Sequence, residues 1–296
     1  MMQARIAAAL GARPDEADAA CPLVLITTTG DRVQDRRLIE AGGKALFTKE
    51  IEEALLDGRV DVAVHSMKDV PAAMPEGLAI AAVPEREDPR DAFVSLGWDR
   101  LEDLPRGARL GTASLRRQAQ SLRARPDLNV EMLRGNVDTR LRRLEDGDFD
   151  AILLAAAGLN RLGLSDRIRS CVDPLANPPA PGQGALAIQT RGADAGAPWL
   201  QSLHHPDTEL CVAAERGALT ALEASCRTAV GAHAWLEEGS VTLVTEALAA
   251  DGSAYWRDRR SILLTGVGDA LAAAFELGLA SGQRVREEAG DRLLVA

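Results

Sequence analysis

Residues Asp61-Val-Ala-Val-His-Ser-Met-Lys-Asp-Val-Pro71 are the starting point for interpreting this chain. Between Val60 and Val64, valine occupies every second position, which is the period-two pattern of a strand. The strand ends at a polar cluster that includes Lys68 and Asp69, and the following proline cannot continue it. Ligands gather at the carboxyl ends of strands in open α/β sheets, so a carboxylate beside an ammonium predicts acid/base chemistry on an anionic substrate. A surface Lys–Asp pair at a turn is the alternative.

The composition is that of a globular protein with two or three domains, because 46% of the 296 residues are hydrophobic and 26% are charged. No apolar run approaches the ~18–20 residues of a membrane span, and no basic-then-apolar leader opens the chain. The net charge of -10 argues against nucleic acid as a partner. The four cysteines show no metal-ligand spacing. We therefore expect a cytoplasmic protein with no metal site, no nucleic-acid partner and no membrane partner.

Strands and helices alternate through the first two thirds of the chain, which favours a parallel-leaning α/β sheet. Two segments are predicted to cross between sheets: the charged stretch Glu85–Asp91 and the turn-rich stretch Pro178–Gly184. Strands are predicted at 22–27, 60–65, 78–83, 129–133, 150–155 and 185–190. Helices are predicted at 2–10, 48–56, 114–124 and 138–144. The strand at 185–190 could return to the first sheet.

The last third of the chain changes character and predicts a small α+β domain. A helix at 207–223 precedes strand-like runs at 228–236, 241–248 and 254–265, and a final helix spans 268–279. The predicted division is therefore a first α/β domain (1–84 and 185–202), a second α/β domain (90–178) and a third, α+β domain (207–296).

Two strand-to-helix junctions in the second domain share a design that suits anions. Gly111-Thr-Ala-Ser-Leu-Arg-Arg117 and Leu133-Arg-Gly-Asn-Val-Asp-Thr-Arg140 each lead from a glycine turn into a helix. Amides at the start of a helix and forked guanidinium donors favour carboxylate or phosphate. The arginines near carboxyl ends of strands are Arg116, Arg117, Arg134, Arg140 and Arg161. Together they predict a multi-anion cleft, although solvated arginines on helix surfaces are the alternative for each one.

Five stretches stand out in order along the chain: Val64-His-Ser-Met-Lys-Asp-Val-Pro71, Glu85-Arg-Glu-Asp-Pro-Arg-Asp-Ala-Phe93, Gly111-Thr-Ala-Ser-Leu-Arg-Arg-Gln118, Leu133-Arg-Gly-Asn-Val137 and Pro179-Ala-Pro-Gly-Gln-Gly-Ala185. They closely resemble the porphobilinogen deaminase (hydroxymethylbilane synthase) family over nearly the whole chain. The resemblance implies two periplasmic-binding-protein-like α/β domains with a cleft between them, a small C-terminal α+β domain, and a monomer. The implied reaction joins four porphobilinogens with release of ammonia and yields hydroxymethylbilane, a precursor in tetrapyrrole synthesis.

The resemblance also implies the site residues. Asp69 matches the catalytic aspartate, which stabilises the cation left when ammonia departs and transfers protons. Cys226 matches the cysteine that holds a dipyrromethane cofactor through a thioether, whereas a lone cysteine taken by itself is more often an inert apolar residue. Phe47 matches a lid residue, with a core contact as the alternative. The residues implied to bind carboxylates of substrate or cofactor are Lys44, Ser66, Lys68, Thr112, Ser114, Arg116, Arg117, Arg134, Arg140 and Arg161.

One feature departs from the family pattern. The family begins with a strand carrying Arg-x-Ser-x-Leu-Ala ahead of a helix like residues 2–10, and this chain begins inside that helix, so we expect a misassigned start. Two other functions remain open on the sequence: a two-lobed receptor for small carboxylates, and a homologue that binds porphobilinogen without turning it over.

Overall fold

The computed structural model describes residues 1–32, 47–222 and 228–293, and its strands form three sheets. The strands are β1 (Ala63–Ser66), β2 (Leu78–Ala82), β3 (Asp91–Ser95), β4 (Arg109–Gly111), β5 (Asn129–Glu131), β6 (Ala151–Ala155), β7 (Ser170–Cys171), β8 (Leu186–Arg191), β9 (Ala229–Glu237), β10 (Ser240–Leu248) and β11 (Tyr255–Leu263).

Helices cover the sheets, and several of them begin at a side-chain cap or a proline. The helices are α1 (Met2–Ala9), α2 (Ala17–Ala20), α3 (Thr29–Arg32), α4 (Lys49–Leu56), α5 (Leu115–Ala124), α6 (Val137–Glu145), α7 (Ala156–Arg161), α8 (Pro198–Gln201), α9 (Pro206–Ala221) and α10 (Ala270–Ala289). Ser114 caps α5 and Asn136 caps α6 through side-chain oxygens that accept backbone N–H groups. Two α/β parts and a C-terminal α+β part confirm the predicted fold class.

The first sheet has the order β1-β8-β2, and both neighbours run antiparallel to β8. Ala63 lies opposite Gln189, and Ser66 lies opposite Leu186. The predicted return of the later strand to this sheet is confirmed. The predicted parallel pairing is wrong here, because β8 re-enters from the opposite direction and separates β1 from β2.

The second sheet has the order β5-β4-β6-β3-β7 and is mixed. β4 pairs in parallel with β5 and β6, while β3 runs antiparallel to β6 and β7. Phe93 and Ile152 are fully buried in its core. The sequence did not predict β3, because its apolar residues follow directly on a charged stretch.

The strand predicted at residues 22–27 does not form. Leu25 in this run is 94% exposed, and Leu23 and Val24 are also exposed. An apolar run becomes a strand only where a neighbouring strand accepts its backbone hydrogen bonds, and the described residues give this run no such neighbour.

The C-terminal part is an antiparallel meander, β9-β10-β11, packed against the helix pair α9 and α10. The predicted final helix ended near residue 279, but α10 continues to Ala289. Glycines on α9 and α10 are contact points between the two helices. A Cβ atom on Gly278 would lie 2.0 Å from the Ala214 carbonyl oxygen, and one on Gly217 would lie 2.2 Å from the Phe275 carbonyl oxygen.

Two crossovers join the first and second sheets, as predicted: the first crossover (83–90) and the second crossover (172–185). They lie directly against each other, since the Glu87 amide donates to the Gly184 carbonyl at 3.1 Å. Gly184 has φ +88°, and a Cβ atom there would lie 2.4 Å from the Glu87 carbonyl oxygen. This close approach requires glycine.

Candidate functional site

The 3₁₀ turn Met67–Asp69 follows β1 directly and presents two charged side chains. Met67 and Val70 are buried, while Lys68 and Asp69 between them are exposed. The Met67 amide donates to the Ala185 carbonyl at 3.0 Å, which ties the turn to the end of the second crossover. The buried residues thus anchor the turn and direct its charged pair outward.

The Lys68 and Asp69 side chains are exposed, and each lies near other charged groups of the site. The pKa of Asp69 is raised, chiefly by desolvation, while Lys68, His65 and Arg140 act in the opposite sense. The pKa of Lys68 is lowered, again chiefly by desolvation, with Asp69 opposing and Arg117 adding to the effect. The raised pKa leaves Asp69 able to hold a proton closer to neutral pH than an ordinary aspartate.

The start of α5 faces this turn and uses two hydroxyls to build its first turn. The Thr112 hydroxyl oxygen accepts the Ser114 amide at 3.1 Å. The Ser114 hydroxyl oxygen accepts the Arg117 amide at 3.4 Å. Since each oxygen acts as an acceptor in these bonds, its own O–H is the group it could give to a ligand carboxylate.

Arg116 and Arg117 turn inward and share one buried carboxylate. Arg116 Nη1 lies 2.6 Å from Asp91 Oδ2, and Arg117 Nη2 lies 2.7 Å from Asp91 Oδ1. The Arg116 Nε atom is buried without a hydrogen-bond partner. Both guanidinium groups therefore support the site from behind, and their predicted contact with a ligand stays a prediction.

Asp91 is a residue that the sequence analysis quoted but did not single out. Its pKa is held far below the ordinary value by Arg116 and Arg117, which outweigh the desolvation of the buried carboxylate. Gln183 Nε2 adds a third donor at 2.9 Å from Oδ1. The signal that could have found it is a charged residue opening the apolar run of β3.

Arg140 on α6 shows that positive charge accumulates in the space before Asp69. Its pKa is lowered to about 10 by desolvation and by the neighbouring cations Arg117 and Arg134, with Asp69 opposing. Lys68 and Arg140 thus act on the Asp69 carboxylate, and Arg117 and Arg134 lie near enough to Arg140 to lower its pKa, so the accumulated positive charge suits a polyanionic ligand.

The remaining predicted residues lie further out. Arg161 Nη2 donates to the Gly184 carbonyl at 2.6 Å, which places it at the crossovers. Ser66 ends β1 and is half-buried. The Phe47 ring lies over Gly30, since a Cβ atom there would be 2.4 Å from Phe47 Cε1. The lid role and the alternative, a core contact for the helix that follows Phe47, both stay predictions.

Comparisons with known proteins bear on this arrangement. The model of the porphobilinogen deaminase dipyromethane cofactor binding domain matches residues 1–197, and that of the porphobilinogen deaminase C-terminal domain matches residues 209–287. Porphobilinogen deaminase of Phenylobacterium zucineum is 62% identical over 298 residues, covering 100% of this chain and 93% of that protein. The chain belongs to the porphobilinogen deaminase family. The porphobilinogen deaminase of Caulobacter vibrioides strain NA1000 is also 62% identical, over 299 residues that cover 100% of this chain and 92% of that protein.

Solved structures share a weaker likeness. A nutrient-binding protein of Burkholderia cenocepacia bound to methionine aligns with 51% of this chain and 73% of its own, with a TM-score of 0.37 and 16% identity. A periplasmic substrate-binding protein of Coxiella burnetii aligns with 53% and 76%, with a TM-score of 0.37 and 18% identity. Likeness at this level supports no conclusion about function.

Membership of the porphobilinogen deaminase family gives the activity: a transferase of tetrapyrrole synthesis that polymerises porphobilinogen and carries a dipyrromethane cofactor. Arg116 Nε, buried without a hydrogen-bond partner, and the cations grouped around Arg140 fit a group that bears several carboxylates. Within the residues that the structure describes, no helix is long and apolar enough to cross a membrane.

Two predicted porphobilinogen deaminase residues, Lys44 and Cys226, lie outside the described residues. Burial raises the pKa of the thiols of Cys21, Cys171 and Cys211, the last to about 12. In these three cysteines, burial therefore disfavours the thiolate form, which is the nucleophile.

Proposed function

We propose that Asp69 carries out the proton transfers of porphobilinogen polymerisation in this chain. The observation that carries the proposal is the place of Asp69: an exposed carboxylate with a raised pKa, on a turn anchored by buried Met67, facing the cations of α5 and α6. A group with these properties can act as acid in one step and as base in the next.

In the proposed cycle, Asp69 gives up one proton and later takes one back. Protonated Asp69 gives its proton to the amino group of porphobilinogen, the C–N bond breaks, and ammonia leaves. The ionised Asp69 then faces the positive charge on the substrate methylene and stabilises it electrostatically. The free α-carbon of the preceding pyrrole forms the new C–C bond, and its proton returns to Asp69. The carboxylate is thus restored to its starting state after each addition.

The surrounding cations hold the carboxylates of the growing pyrrole chain in this proposal. Lys68 and Arg140 lower the pKa of Asp69, and Arg134 lies close enough to Arg140 to lower the pKa of Arg140. The residues assigned to carboxylate binding in a wider shell are Lys44, Ser66, Thr112, Ser114, Arg116, Arg117 and Arg161. Each added porphobilinogen brings an acetate and a propionate, so a site for several units needs more positive charge than a site for one.

The proposal also states where the cofactor attaches, how the chain divides into domains, and where in the cell the protein acts. Cys226 forms the thioether to the dipyrromethane cofactor, which anchors the growing chain when bound. The domains divide at 1–84 with 185–202, at 90–178 and at 207–296. The protein acts as a monomer in the cytoplasm, where a reducing environment keeps the Cys226 thiol free for attachment. Light scattering on the purified protein tests the monomer.

Intact-protein mass spectrometry and a turnover assay test the proposal together. The wild-type chain should carry the mass of two pyrrole units, and Cys226→Ala should not. Cys211→Ala is the matched control, because this buried cysteine of the same domain should leave the added mass in place. Asp69→Asn should load the cofactor and turn over at least about a hundredfold more slowly. Near-normal turnover of Asp69→Asn would remove Asp69 from its role, and loaded Cys226→Ala would remove the attachment site.

A further inference from the structure

The guanidinium group of Arg216 on α9 binds the segment that directly follows Asp69. Its Nη1 donates to the Val70 carbonyl at 3.2 Å, and its Nη2 donates to the Pro71 carbonyl at 2.8 Å and to the Ala72 carbonyl at 3.2 Å. Because Val70 is the residue after Asp69, a side chain of the C-terminal part thus holds consecutive backbone carbonyls beside the proposed proton carrier.

The partners of Arg216 are unusual for a half-buried cation. Desolvation lowers the pKa of Arg216, and within the described part of the chain no carboxylate opposes that effect. The next residue on α9, Glu215, pairs with Arg86 instead, at 2.7 Å. Removing a guanidinium from water is unfavourable unless its donors are satisfied, and neutral carbonyls are weaker partners than a carboxylate. The segment that Arg216 binds is therefore what explains this arginine.

The same face of α9 also supports the turn itself. Met67 and Val70, the two buried residues that flank the charged pair, pack with Val212 in one apolar cluster. Val212 and Arg216 are four residues apart and so lie on one face of the helix. The Val70 amide closes the turn by donating to the Met67 carbonyl at 3.1 Å. One helix face thus contacts the turn through an apolar residue and the chain beyond it through a guanidinium group.

We propose that Arg216 is a positioning residue for the reaction, which fixes the direction of Asp69 by binding the carbonyls of residues 70–72. The inference rests on the proposed role of Asp69. It adds that the C-terminal part, through α9, sets the place of a carboxylate that follows a strand of the first sheet. A displacement of about 1 Å can cost a reaction about a hundredfold in rate, so such a residue matters without touching substrate.

Arg216→Lys tests the inference, because lysine keeps the positive charge but lacks the planar set of donors that reaches several carbonyls at once. With porphobilinogen as substrate, kcat should fall about tenfold or more while KM stays within about twofold, since the variant binds substrate but misplaces Asp69. Intact mass and thermal melting should show that the variant carries its cofactor and is folded.

Arg125→Lys is the matched control, because Arg125 makes the same kind of contact away from the site. Its guanidinium group donates to the carbonyls of Leu101 and Glu102 at 3.0 Å and of Leu104 at 2.9 Å. It follows α5 at the end opposite Ser114, about 15 Å along the helix. Arg125→Lys should lower the melting temperature but leave kcat within about twofold of wild type.

Chemical rescue of Arg216→Ala supplies a readout that a loss of stability does not produce. Methylguanidinium carries the missing planar donors, so adding it should raise the kcat of this variant by about threefold or more. Methylammonium, which has the charge without the planar donors, should not. Neither compound should raise the kcat of wild type or of Arg125→Ala.

A double-mutant cycle shows whether Arg216 acts through Asp69. Arg216→Lys should slow Asp69→Asn far less than it slows wild type, because the carboxylate that it positions is already absent. Additive losses, with Asp69→Asn itself slow, would overturn the inference and leave the role of Asp69 intact. Normal turnover of Asp69→Asn would overturn the role of Asp69 and the inference with it.

Two further outcomes would also overturn the inference. One is a kcat of Arg216→Lys equal to that of wild type. The other is loss of both cofactor mass and thermal stability in the lysine and alanine variants, without rescue by methylguanidinium, which would make Arg216 a residue that only stabilises the fold.

Discussion

At the scale of single residues, two aspartates show opposite responses to burial. Asp91 is enclosed by Arg116 and Arg117, and its pKa falls far below the ordinary value. Asp69 meets cations on fewer sides, and desolvation raises its pKa. The number and closeness of compensating donors decides which effect prevails. The same side chain is therefore a permanent anion at position 91, whereas at position 69 it holds a proton more readily, as its proposed role requires.

Asp91→Asn should lower the free energy of unfolding by about 3–5 kcal/mol at neutral pH, because it leaves two buried guanidinium groups without their counter-ion. The stabilisation from the lowered pKa of Asp91 is fully present above the ordinary carboxyl pKa of ~3.9. The destabilisation caused by Asp91→Asn should therefore become smaller as the pH falls below that value. Denaturant unfolding measures both. Asp148→Asn is the control, because its 2.8 Å bond to Arg143 is exposed and should contribute less than about 1 kcal/mol. If Asp91→Asn and Asp148→Asn lower the free energy of unfolding equally, burial of the Asp91 ion pairs adds nothing to stability.

Asp69→Asn should be more thermally stable than wild type at neutral pH, since the fold no longer holds a carboxylate that its surroundings disfavour. A raised pKa in the folded state makes stability fall as pH rises from the ordinary value toward the folded one. The advantage of the variant should therefore vanish in acid, where both forms are neutral. Thermal melts across pH check this, with exposed Asp99→Asn as the control. If Asp69→Asn melts at a lower temperature than wild type at neutral pH, the predicted direction of the stability change is wrong.

At the scale of elements, glycine plays a packing role in α10 rather than an ending role. The helix continues through Gly278 and Gly282, where a Cβ atom would meet backbone oxygens of α9 at 2.0 and 2.6 Å. Backbone atoms of a packed helix cannot move aside as a flexible side chain can. The two helices therefore depend on hydrogen atoms at these positions to keep their separation.

Gly278→Ala should destabilise the protein by about 2 kcal/mol or more, because the overpacking penalty exceeds the gain of about 1 kcal/mol from better helix propensity. The midpoint of denaturant unfolding measures it. Gly268→Ala, at an exposed position with open space around it, should change stability by less than about 0.5 kcal/mol. If Gly278→Ala leaves stability unchanged or raises it, α9 and α10 can move apart to accommodate the added methyl group.

At the scale of the whole molecule, one buried carboxylate joins the C-terminal part to both crossovers. Glu215 on α9 accepts two bonds from Arg86 of the first crossover, at 2.7 and 3.0 Å. It also accepts the Gly182 amide of the second crossover at 2.6 Å and the Ala234 amide of β9 at 2.8 Å. A single side chain thus connects the C-terminal sheet to both crossovers, which join the first and second sheets.

Glu215→Gln should lower the free energy of unfolding by about 3–5 kcal/mol, because the neutral amide leaves buried Arg86 unpaired and turns a donor toward backbone donors. Denaturant unfolding of the full chain gives the value. Glu145→Gln is the matched control, because its 2.6 Å bond to Arg167 is half-exposed and should cost less than about 1 kcal/mol. If Glu215→Gln lowers the free energy of unfolding no more than Glu145→Gln does, the charge of Glu215 does not stabilise the contact between the C-terminal part and the crossovers.

Local features follow from the sequence alone: the strand before Lys68, the start of α5 near Ser114, and the polar residues at the carboxyl ends of strands. These follow from periodicity and capping, which act between residues a few positions apart. The sequence also determined the family, because the motifs are long and occur in order.

Only the tertiary structure decided which distant residues became partners. β8 separates β1 from β2, Asp91 draws Arg116 inward, and Gln189 meets His65 across the sheet. The run at 22–27 stayed outside any sheet for the same reason. Each outcome depends on a neighbour far away in the chain, and the free energy of a buried charge or a strand edge is set by that neighbour rather than by the residue itself.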